Sequence, residues 1–423
     1  MLITVSCHAL TFFMVPQRPT SVEEAKRPPP LTRRLTEVEP ISDAGIEEVH
    51  GILRRGHLFR YGETQPEGSF VRQLEKEMAS LFGARYAVAC NSGGSAIFLA
   101  LAASGVHRDS TVLMNAFTLS PVPGAVHHAG AKVAYVDVTE DLVIDVDHLR
   151  IQIERTGARF LLLSHMRGHI SDLAAVRELC DRFGVRVIED AAHAMGATFE
   201  GRPVGRWGDV GCFSLQTYKQ VNAGEGGILI TDDEDVAARA ILMTGCYMLF
   251  DQHDPRPSDA VFARWTGTTP NLSMRLSEIQ AALVLHQLPE LDRRNERWRA
   301  IHDRIADHLP PTHAKVPSVD VRSTAVPTSI QFHALIDPNR IPVMLKICKD
   351  LGVHVKWFGA ESPIGFTSRR HHWTHEVGDP ITADDHLMRL MDVRLPLTLT
   401  DEEADHLGAI LCHGLVQAAI GSP

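Results

Sequence analysis

The sequence predicts an α/β protein with a large, mostly parallel sheet flanked by helices and a smaller α+β C-terminal domain. Between about residues 41 and 245, short apolar segments alternate with helix-like segments, which is typical of βαβ units. The chain has 423 residues, more than one compact core usually holds. From about residue 310 strand and helix patterns mix again, which indicates the second domain.

The domain boundaries follow from composition. Residues 1–40 are predicted to form an N-terminal arm, because they end in the proline-rich and basic run KRPPPLTRRL. Residues 41–290 would form the large domain, and residues 291–423 the bridging helix and the small domain. The apolar start lacks a basic first region and is too short to span a bilayer. We expect it to pack on the body or on a partner subunit, with a natural start at Met14 as the alternative.

The strands of the large domain are predicted from apolar runs bounded by polar or turn residues. These runs are YAVAC (86–90), TVLMNAF (111–117), KVAYVDV (132–138), ARFLLLSH (158–165) and VRVIED (185–190). The segment DLAAVRELCDRFG reads as a helix that Asp172 caps and Gly184 ends. A second helical stretch runs from about Arg275 to Leu309, with an interruption at Pro289. Ligands of parallel sheets bind at the carboxyl ends of the strands, so function is expected just after these runs.

Composition excludes several classes of protein. The net charge of −10 argues against nucleic acid as a partner, and no later stretch is apolar enough to span a membrane. The seven cysteines are odd in number and lack CxxC spacing, so we expect a reducing cytoplasm and no disulfide framework. The histidine-rich segment HHWTH (371–375) could suggest a metal site, but such clustering is expected by chance among 23 histidines, so no metal site is predicted.

The string DVGCFSLQTYKQVNAGEGG (209–227) carries the strongest chemical signal. It fixes Lys219 after a strand, with Ser214 before it and a glycine-rich segment behind it. An amine that attacks an aldehyde must be held in place and kept neutral, and burial or nearby positive charge achieves this. Lys219 is therefore predicted to bind an aldehyde cofactor; a surface lysine on a loop is the alternative.

Two further strings complete a cofactor site. Asp190 ends the strand of VIEDAAHAMGA (187–197), where a carboxylate can meet a pyridine nitrogen and keep it protonated. His193, three residues on, is expected near the ring's 3′-oxygen. NSGGSA (91–96) lies at a strand-to-helix junction, where free backbone amides can hold a phosphate. A pyridine ring, an aldehyde and a phosphate together indicate pyridoxal 5′-phosphate (PLP).

These strings resemble the DegT–DnrJ–StrS family of PLP-dependent sugar and cyclitol aminotransferases, which includes 3-amino-5-hydroxybenzoate synthase-like members. The similarity extends from about Gly68 into the C-terminal domain, and MRLSEIQAALVLHQL is a further landmark. The resemblance implies fold type I and a homodimer with shared active sites. It also implies transfer of an amino group from glutamate or glutamine to a ketone of a sugar, a cyclitol or a related biosynthetic intermediate. Relatives that dehydrate sugars carry histidine at the lysine position, so Lys219 favours amino transfer.

The resemblance also implies roles for single residues. Lys219 would hold the cofactor and move the proton, Asp190 would pair with the ring nitrogen, and Phe117 would stack on the ring. The phosphate would contact Gly93, Gly94, Ser95, Ser214 and Gln216. This chain departs from the family at Gly94, where many members have Thr. Ser273 stands where members usually carry an Asn that reaches the neighbouring subunit's phosphate.

The substrate side is the least defined part of the site. Arg167, His169, Lys356 and Trp357 are expected to line it. Arg167 is the candidate clamp for a carboxylate or phosphate, because a guanidinium binds such groups bidentately; a solvated loop arginine is the alternative. Two other functions stay open on sequence grounds. One is a different PLP reaction on the same scaffold, such as a lyase, aldolase or carbon–carbon bond-forming enzyme. The other is a regulatory protein that only holds PLP.

Overall fold

The computed structural model describes residues 27–61, 68–363, 369–372 and 382–420. Most of the predicted arm lies outside these ranges, as does the end of the histidine run at 371–375. Within them the helices are α1 Asp43–Arg55, α2 Phe70–Phe82, α3 Gly93–Ala103, α4 Pro121–His128, α5 Val146–Thr156, α6 Leu173–Phe183, α7 Glu234–Thr244, α8 Asp259–Trp265, α9 Glu278–Leu285, α10 Leu291–His308, α11 Ile341–Asp350, α12 Thr382–Met388 and α13 Asp401–Ile420. The strands are β1 Tyr86–Cys90, β2 Thr111–Asn115, β3 Lys132–Val136, β4 Phe160–Ser164, β5 Arg186–Asp190, β6 Thr198–Phe199, β7 Arg202–Pro203, β8 Val210–Ser214, β9 Gly227–Thr231, β10 Ala314–Lys315, β11 Ser323–Thr324, β12 Ser329–Ala334, β13 Lys356–Trp357 and β14 Leu390–Arg394.

The main sheet has seven strands in the order β1-β9-β8-β5-β4-β2-β3. Strand β9 pairs antiparallel with β1 and β8, and the remaining pairs are parallel. All strands except β9 therefore point the same way, and their carboxyl ends meet at one edge. The predicted mostly parallel sheet flanked by helices is confirmed.

The local signals explain where these elements begin and end. The five predicted strands are all present; the first has the predicted bounds, and the other four are one to three residues shorter. In α6 the side chain of Asp172 accepts a hydrogen bond from the Ala175 amide at 3.0 Å. Gly184 ends the helix with a φ of 64°, which suits a residue without a side chain. The predicted helix is therefore confirmed at both ends.

A second sheet follows the bridging helix. Its four antiparallel strands lie in the order β10-β12-β14-β13. Helix α10, which follows the predicted break at Pro289, packs against α13 and β12. The short strand β11 pairs with β6 and so joins this region to the first part of the chain. The exact division at residue 290 stays a prediction.

The described end of the N-terminal arm packs on the body. Residues 27–40 contain no helix or strand, and the Leu31 amide donates to the Leu351 carbonyl at 2.8 Å. Leu31 is buried there against Gly352. Among the helices of the described ranges, none is both long and apolar enough to cross a membrane.

Candidate active site

A cavity of about 320 Å³ opens at the carboxyl edge of the main sheet. The ends of β1, β4, β5 and β8 supply much of its wall, because these strands point the same way. The residues from these ends and the loops behind them include Ser92, Gly93, Ser164, Asp190, His193, Ser214 and Lys219. The structure thus brings the three predicted strings together in one place.

Lys219 lies in the loop between β8 and β9, which form an antiparallel hairpin. Its amide donates to the Gln216 carbonyl at 2.9 Å, so the turn before it is tight. Its Nζ lies 2.8 Å from His193 Nε2. Burial, together with the nearby charge of Arg167, lowers the pKa of Lys219 to about 7. A substantial fraction of the amine is therefore neutral near pH 7, as attack on an aldehyde requires.

Asp190 presents its carboxylate to the same cavity from the end of β5. Its Oδ2 accepts a hydrogen bond from Ser164 Oγ at 2.7 Å, and its Oδ1 accepts one from the Ala192 amide at 3.1 Å. Ser164 is held in turn by the hydroxyl of Thr118, which donates to it at 3.0 Å. These contacts fix the orientation of the carboxylate inside the cavity.

The first turn of α3 forms another part of the wall. Ser92 caps the helix by accepting a hydrogen bond from the Ser95 amide at 3.0 Å. A Cβ on Gly93 would lie 2.8 Å from the Cβ of Ser214, so glycine is what lets α3 approach β8 this closely. Amides in the first turn of a helix have no partner within it and favour anions. Ser92, Gly93 and Gly94 line the cavity, whereas Ser95 is turned to Ser92.

Of two further residues predicted to contact the cofactor, Gln216 lines the cavity and Phe117 does not. Gln216 lines the cavity and accepts a hydrogen bond from the Tyr218 amide at 3.0 Å. Phe117 does not reach the cavity, because it is fully buried and packs edge-to-face on Phe358 with ring centroids 5.4 Å apart. The structure therefore places Phe117 behind the cavity wall, and its ring stacking stays a prediction. Leu119, two residues on, lines the wall instead.

Ser273 lies outside the cavity of the single chain. It is exposed, has a φ of 56°, and donates to Asn271 Oδ1 from its amide at 3.0 Å. Its predicted contact with a neighbouring subunit stays a prediction. Within the described residues, no three side chains of His, Cys, Asp or Glu come together as a metal site would require.

Arg167 is buried rather than solvated, which rules out the alternative of a solvated loop arginine. Its exposed fraction is 7%, and it lines the cavity just beyond the end of β4. Its Nη2 donates to Asp392 Oδ2 at 3.0 Å. Its φ of 58° is unusual for a residue with a side chain, and such strain is concentrated at functional sites.

The other three predicted substrate residues lie behind the cavity wall. His169 borders a second cavity of about 260 Å³, and its Nε2 lies 3.0 Å from Gln331 Oε1. Burial lowers the pKa of His169 to about 4. Lys356 Nζ lies 3.5 Å from Asp392 Oδ2, and Trp357 Nε1 donates to the Met388 carbonyl at 2.8 Å. Neither Lys356 nor Trp357 lines the first cavity.

Sequence reasoning missed two residues at this site. Arg394 lines the cavity at the end of β14, with its guanidinium 3.5 Å from the ring centroid of Tyr218, which also lines it. A signal was present in the strand LMDVR, where Asp392 and Arg394 alternate with apolar residues. Side chains two apart in a strand share a face, so this strand presents a charged pair to one side.

A family model described as the DegT/DnrJ/EryC1/StrS aminotransferase family matches residues 46–363. The chain belongs to this family. Spore coat polysaccharide biosynthesis protein SpsC of Bacillus subtilis (strain 168) is 31% identical over 321 residues, which cover 70% of this chain and 78% of SpsC. L-glutamine:scyllo-inosose aminotransferase of Streptomyces griseus is 33% identical over 269 residues, 63% of each protein. The solved structure of 3-amino-5-hydroxybenzoic acid synthase has a TM-score of 0.74 at 23% identity, covering 90% of this chain and 99% of that one.

The family confirms the expectation of a PLP-dependent aminotransferase of fold type I. The cavity of this aminotransferase fits the cofactor on its own geometry. A buried amine of lowered pKa and a fixed carboxylate face one space, and a helix N-terminus closes it. His193 Nδ1 is buried without a hydrogen-bond partner among the described residues, which is typical of a site that awaits a polar ligand.

Proposed function

We propose that this aminotransferase moves an amino group from glutamate or glutamine to a ketone of a sugar, a cyclitol or a related biosynthetic intermediate. The scyllo-inosose relative supports both the donor and the acceptor class by its name. The single observation that carries the proposal is the position of Lys219. Its Nζ, with a pKa lowered to about 7, lies in the same cavity as the carboxylate of Asp190.

Six parts of the cavity wall would contact the cofactor. Lys219 would bind its aldehyde, and Asp190 would pair with its ring nitrogen. Its phosphate would lie at the first turn of α3 and against Ser214 and Gln216. When bound, PLP supplies an electron sink next to the carbon that gains or loses the amino group. The aliphatic side chain of Leu119 would contact a ring face, in the place that Phe117 was expected to take.

Lys219 would move the proton, and His193 would position its amine. Burial lowers the pKa of His193 well below its usual value, and the adjacent Lys219 contributes. A neutral imidazole can accept a hydrogen bond from Lys219 Nζ, from which it lies 2.8 Å away. His193 would therefore hold the amine in place whenever Lys219 is not bonded to the cofactor. Lys219, once released from the cofactor, would carry the proton between the reacting carbons.

We also propose a cytoplasmic homodimer. An exposed apolar surface lies next to Ser273, where Arg275 stacks between Phe59 and Tyr247 at 5.4 and 5.1 Å from their ring centroids. A second copy on this surface would cover these rings and Met248, which is 54% exposed. Ser273 would then reach the partner's cofactor phosphate. The buried cysteines are unpaired, as expected in a reducing compartment.

The proposal is tested by following the visible absorbance of the yellow holoenzyme. Glutamate or glutamine, added without an acceptor, should bleach the band, because the amino group moves to the cofactor. Borohydride reduction and peptide mapping should place the cofactor on Lys219. A Lys219→Ala variant should lose both signals, whereas Lys346→Ala, an exposed lysine on α11, should keep them. A holoenzyme that no amino donor bleaches, or a label on another lysine, contradicts the proposal.

A further inference from the structure

Three cationic side chains lie at or next to the cavity, and the nearby carboxylate of Asp392 contacts only two of them. Arg167 and Lys356 contact Asp392, at 3.0 and 3.5 Å. Arg394 has no carboxylate oxygen within 4.0 Å among the residues that the structure describes. The cluster of Arg167, Lys356, Arg394 and Asp392 therefore carries an excess of positive charge. We call these four residues the cationic cluster.

The single negative charge of Asp392 does not neutralise the three cations of the cationic cluster. It is fully buried, and Gln331 Nε2 also donates to it at 2.7 Å. Burial lowers the pKa of Arg394, and the charge of Arg167 adds to this effect. Burial also lowers the pKa of Lys356, with Arg167 and Arg394 contributing. Positive charge that is partly removed from water is stabilised by an added anion, so this part of the cavity favours a negatively charged ligand.

The other carboxylates of the cavity do not supply that anion. Asp190 is held by Ser164 and the Ala192 amide on the far wall, where the proposed function assigns it to the cofactor. Glu225 lies at the rim and is exposed to solvent. The cofactor phosphate is assigned to the first turn of α3. A substrate group is the remaining candidate for the anion.

From this geometry we infer that the enzyme binds a substrate carboxylate through Arg394, with Arg167 beside it. The inference rests on the proposed function and adds an acidic substrate class to it. Arg394 is held in place by the Tyr218 ring and faces the cavity that contains Lys219. Arg167 is fixed by Asp392, so both guanidinium groups are oriented before the substrate arrives. Two oriented guanidinium groups bind a carboxylate more selectively than one flexible lysine does.

The test uses glutarate, a dicarboxylate without an amino group, and its uncharged analogue glutaramide. Each is titrated into holoenzyme by equilibrium dialysis, which reports binding whether or not the enzyme turns over. Wild-type enzyme should bind glutarate at least about tenfold more tightly than glutaramide, because hydrogen bonds between charged groups contribute that much. Arg394→Gln should raise the Kd for glutarate by about 10- to 100-fold. Equal binding of the two probes by wild-type enzyme overturns the inference without any variant.

The matched control is Arg389→Gln. Arg389 immediately precedes β14, is exposed and lies outside the cavity. The Arg389→Gln substitution removes the same charge as Arg394→Gln but leaves the cavity wall unchanged. It should leave the Kd for glutarate unchanged, and an equal loss in both variants overturns the inference. Retention of the yellow band in Arg394→Gln shows that the cavity is intact. Absence of amino transfer from any donor would contradict the proposed function alone, since glutarate binding is measured separately.

Two further arms decide which substrate carries the carboxylate. Glutamine and glutaminamide differ only at the α-carboxylate, so their bleaching rates test the donor. If Arg394→Gln removes a preference for glutamine, Arg394 binds the donor carboxylate. If that preference stays while glutarate binds more weakly to enzyme loaded with pyridoxamine 5′-phosphate, the acceptor carries it. If Arg394→Gln keeps both the wild-type preference for glutamine and the wild-type Kd for glutarate, the inference is overturned.

Discussion

The pKa of Lys219 gives a quantitative prediction for the loading of the apo-enzyme with PLP. Only the neutral amine attacks the aldehyde, so the loading rate should follow the neutral fraction. With the pKa lowered from 10.5 to about 7, about half of the amine is neutral at pH 7. An unperturbed lysine would be neutral in only about one molecule in 3,000 at that pH. The cavity is therefore expected to accelerate loading by roughly three orders of magnitude.

The assay is stopped-flow absorbance of the developing yellow band over a range of pH. Nα-acetyl-lysine, measured in parallel, corrects for the titration of the cofactor itself. From pH 6 to 8 the corrected neutral fraction should rise about tenfold, and from pH 8 to 10 it should stay nearly constant. An unperturbed amine would instead give a rise of about 80-fold over the second interval. That steep rise between pH 8 and 10 would refute the reasoning.

A variant separates the two causes of the lowered pKa. Arg167→Met removes the neighbouring charge but retains most of the burial, so the midpoint of the loading curve should move to higher pH. Arg389→Gln removes a charge away from the cavity and should not move the midpoint. If both variants shifted it equally, the local effect of Arg167 would be excluded.

Three other predictions follow from contacts described above or from the buried core. Asp190→Asn should keep the yellow band but slow single-turnover bleaching by glutamate by about 100-fold or more, since an oriented charge is lost; an unchanged rate would remove Asp190 from the chemistry. Gly93→Ala should lower the free energy of unfolding of the apo-enzyme by about 1–3 kcal/mol in urea, because its Cβ would lie 2.8 Å from the Cβ of Ser214. Gly94→Ala is the control, since its Cβ would come no nearer than 3.9 Å to another residue, and equal losses would contradict the steric argument. Glu75→Gln should cost about 3–5 kcal/mol in the same assay, because it leaves the buried charge of Arg60 without the carboxylate that now lies at 2.7 Å. Burial raises the pKa of Glu75, but Arg60 and His253 outweigh it and lower the pKa from 4.5 to about 2. The Glu75 carboxylate therefore contributes fully to the free energy of unfolding above pH 4.5, and this contribution is lost as the pH falls towards 2. If the difference in the free energy of unfolding between wild-type enzyme and Glu75→Gln stayed constant from pH 4.5 to pH 2, this pH dependence would be contradicted.

The local sequence pattern was sufficient to predict most strands of the large domain. The strands that end at Cys90 and Asp190 could be located because apolar runs stop at polar residues with glycine or a cap close behind. Parallel strands expose their carboxyl ends at one edge, so residues distant in sequence could be assigned to one site. Lys219 and Asp190 were predicted together in this way, and the structure places both on one cavity.

Sequence reasoning was least informative where local pattern gives a side chain no direction. Phe117 lies two residues beyond β2, where the chain leaves the sheet and the alternation of strand side chains no longer applies. It turns into the core, and Leu119 takes the cavity wall. Arg394 lines the same cavity as Lys219 although it lies in a different sheet, and no local spacing encodes that tertiary arrangement. The role of Ser273 depends on a second chain.

The reversed strand β9 has a consequence for how the lysine loop moves. Ser214 and Gly227 pair at the base of the loop, and the Leu215 amide donates to the Gly226 carbonyl at 2.9 Å. The loop that carries Lys219 is thus anchored at both ends on neighbouring strands of one rigid sheet. Its amine keeps its position relative to Asp190 when the surroundings rearrange. Attempts to redesign the acceptor specificity of this enzyme are therefore best directed at cavity walls outside this loop, and should leave Arg394 in place because its guanidinium lies 3.5 Å from the Tyr218 ring centroid within the loop.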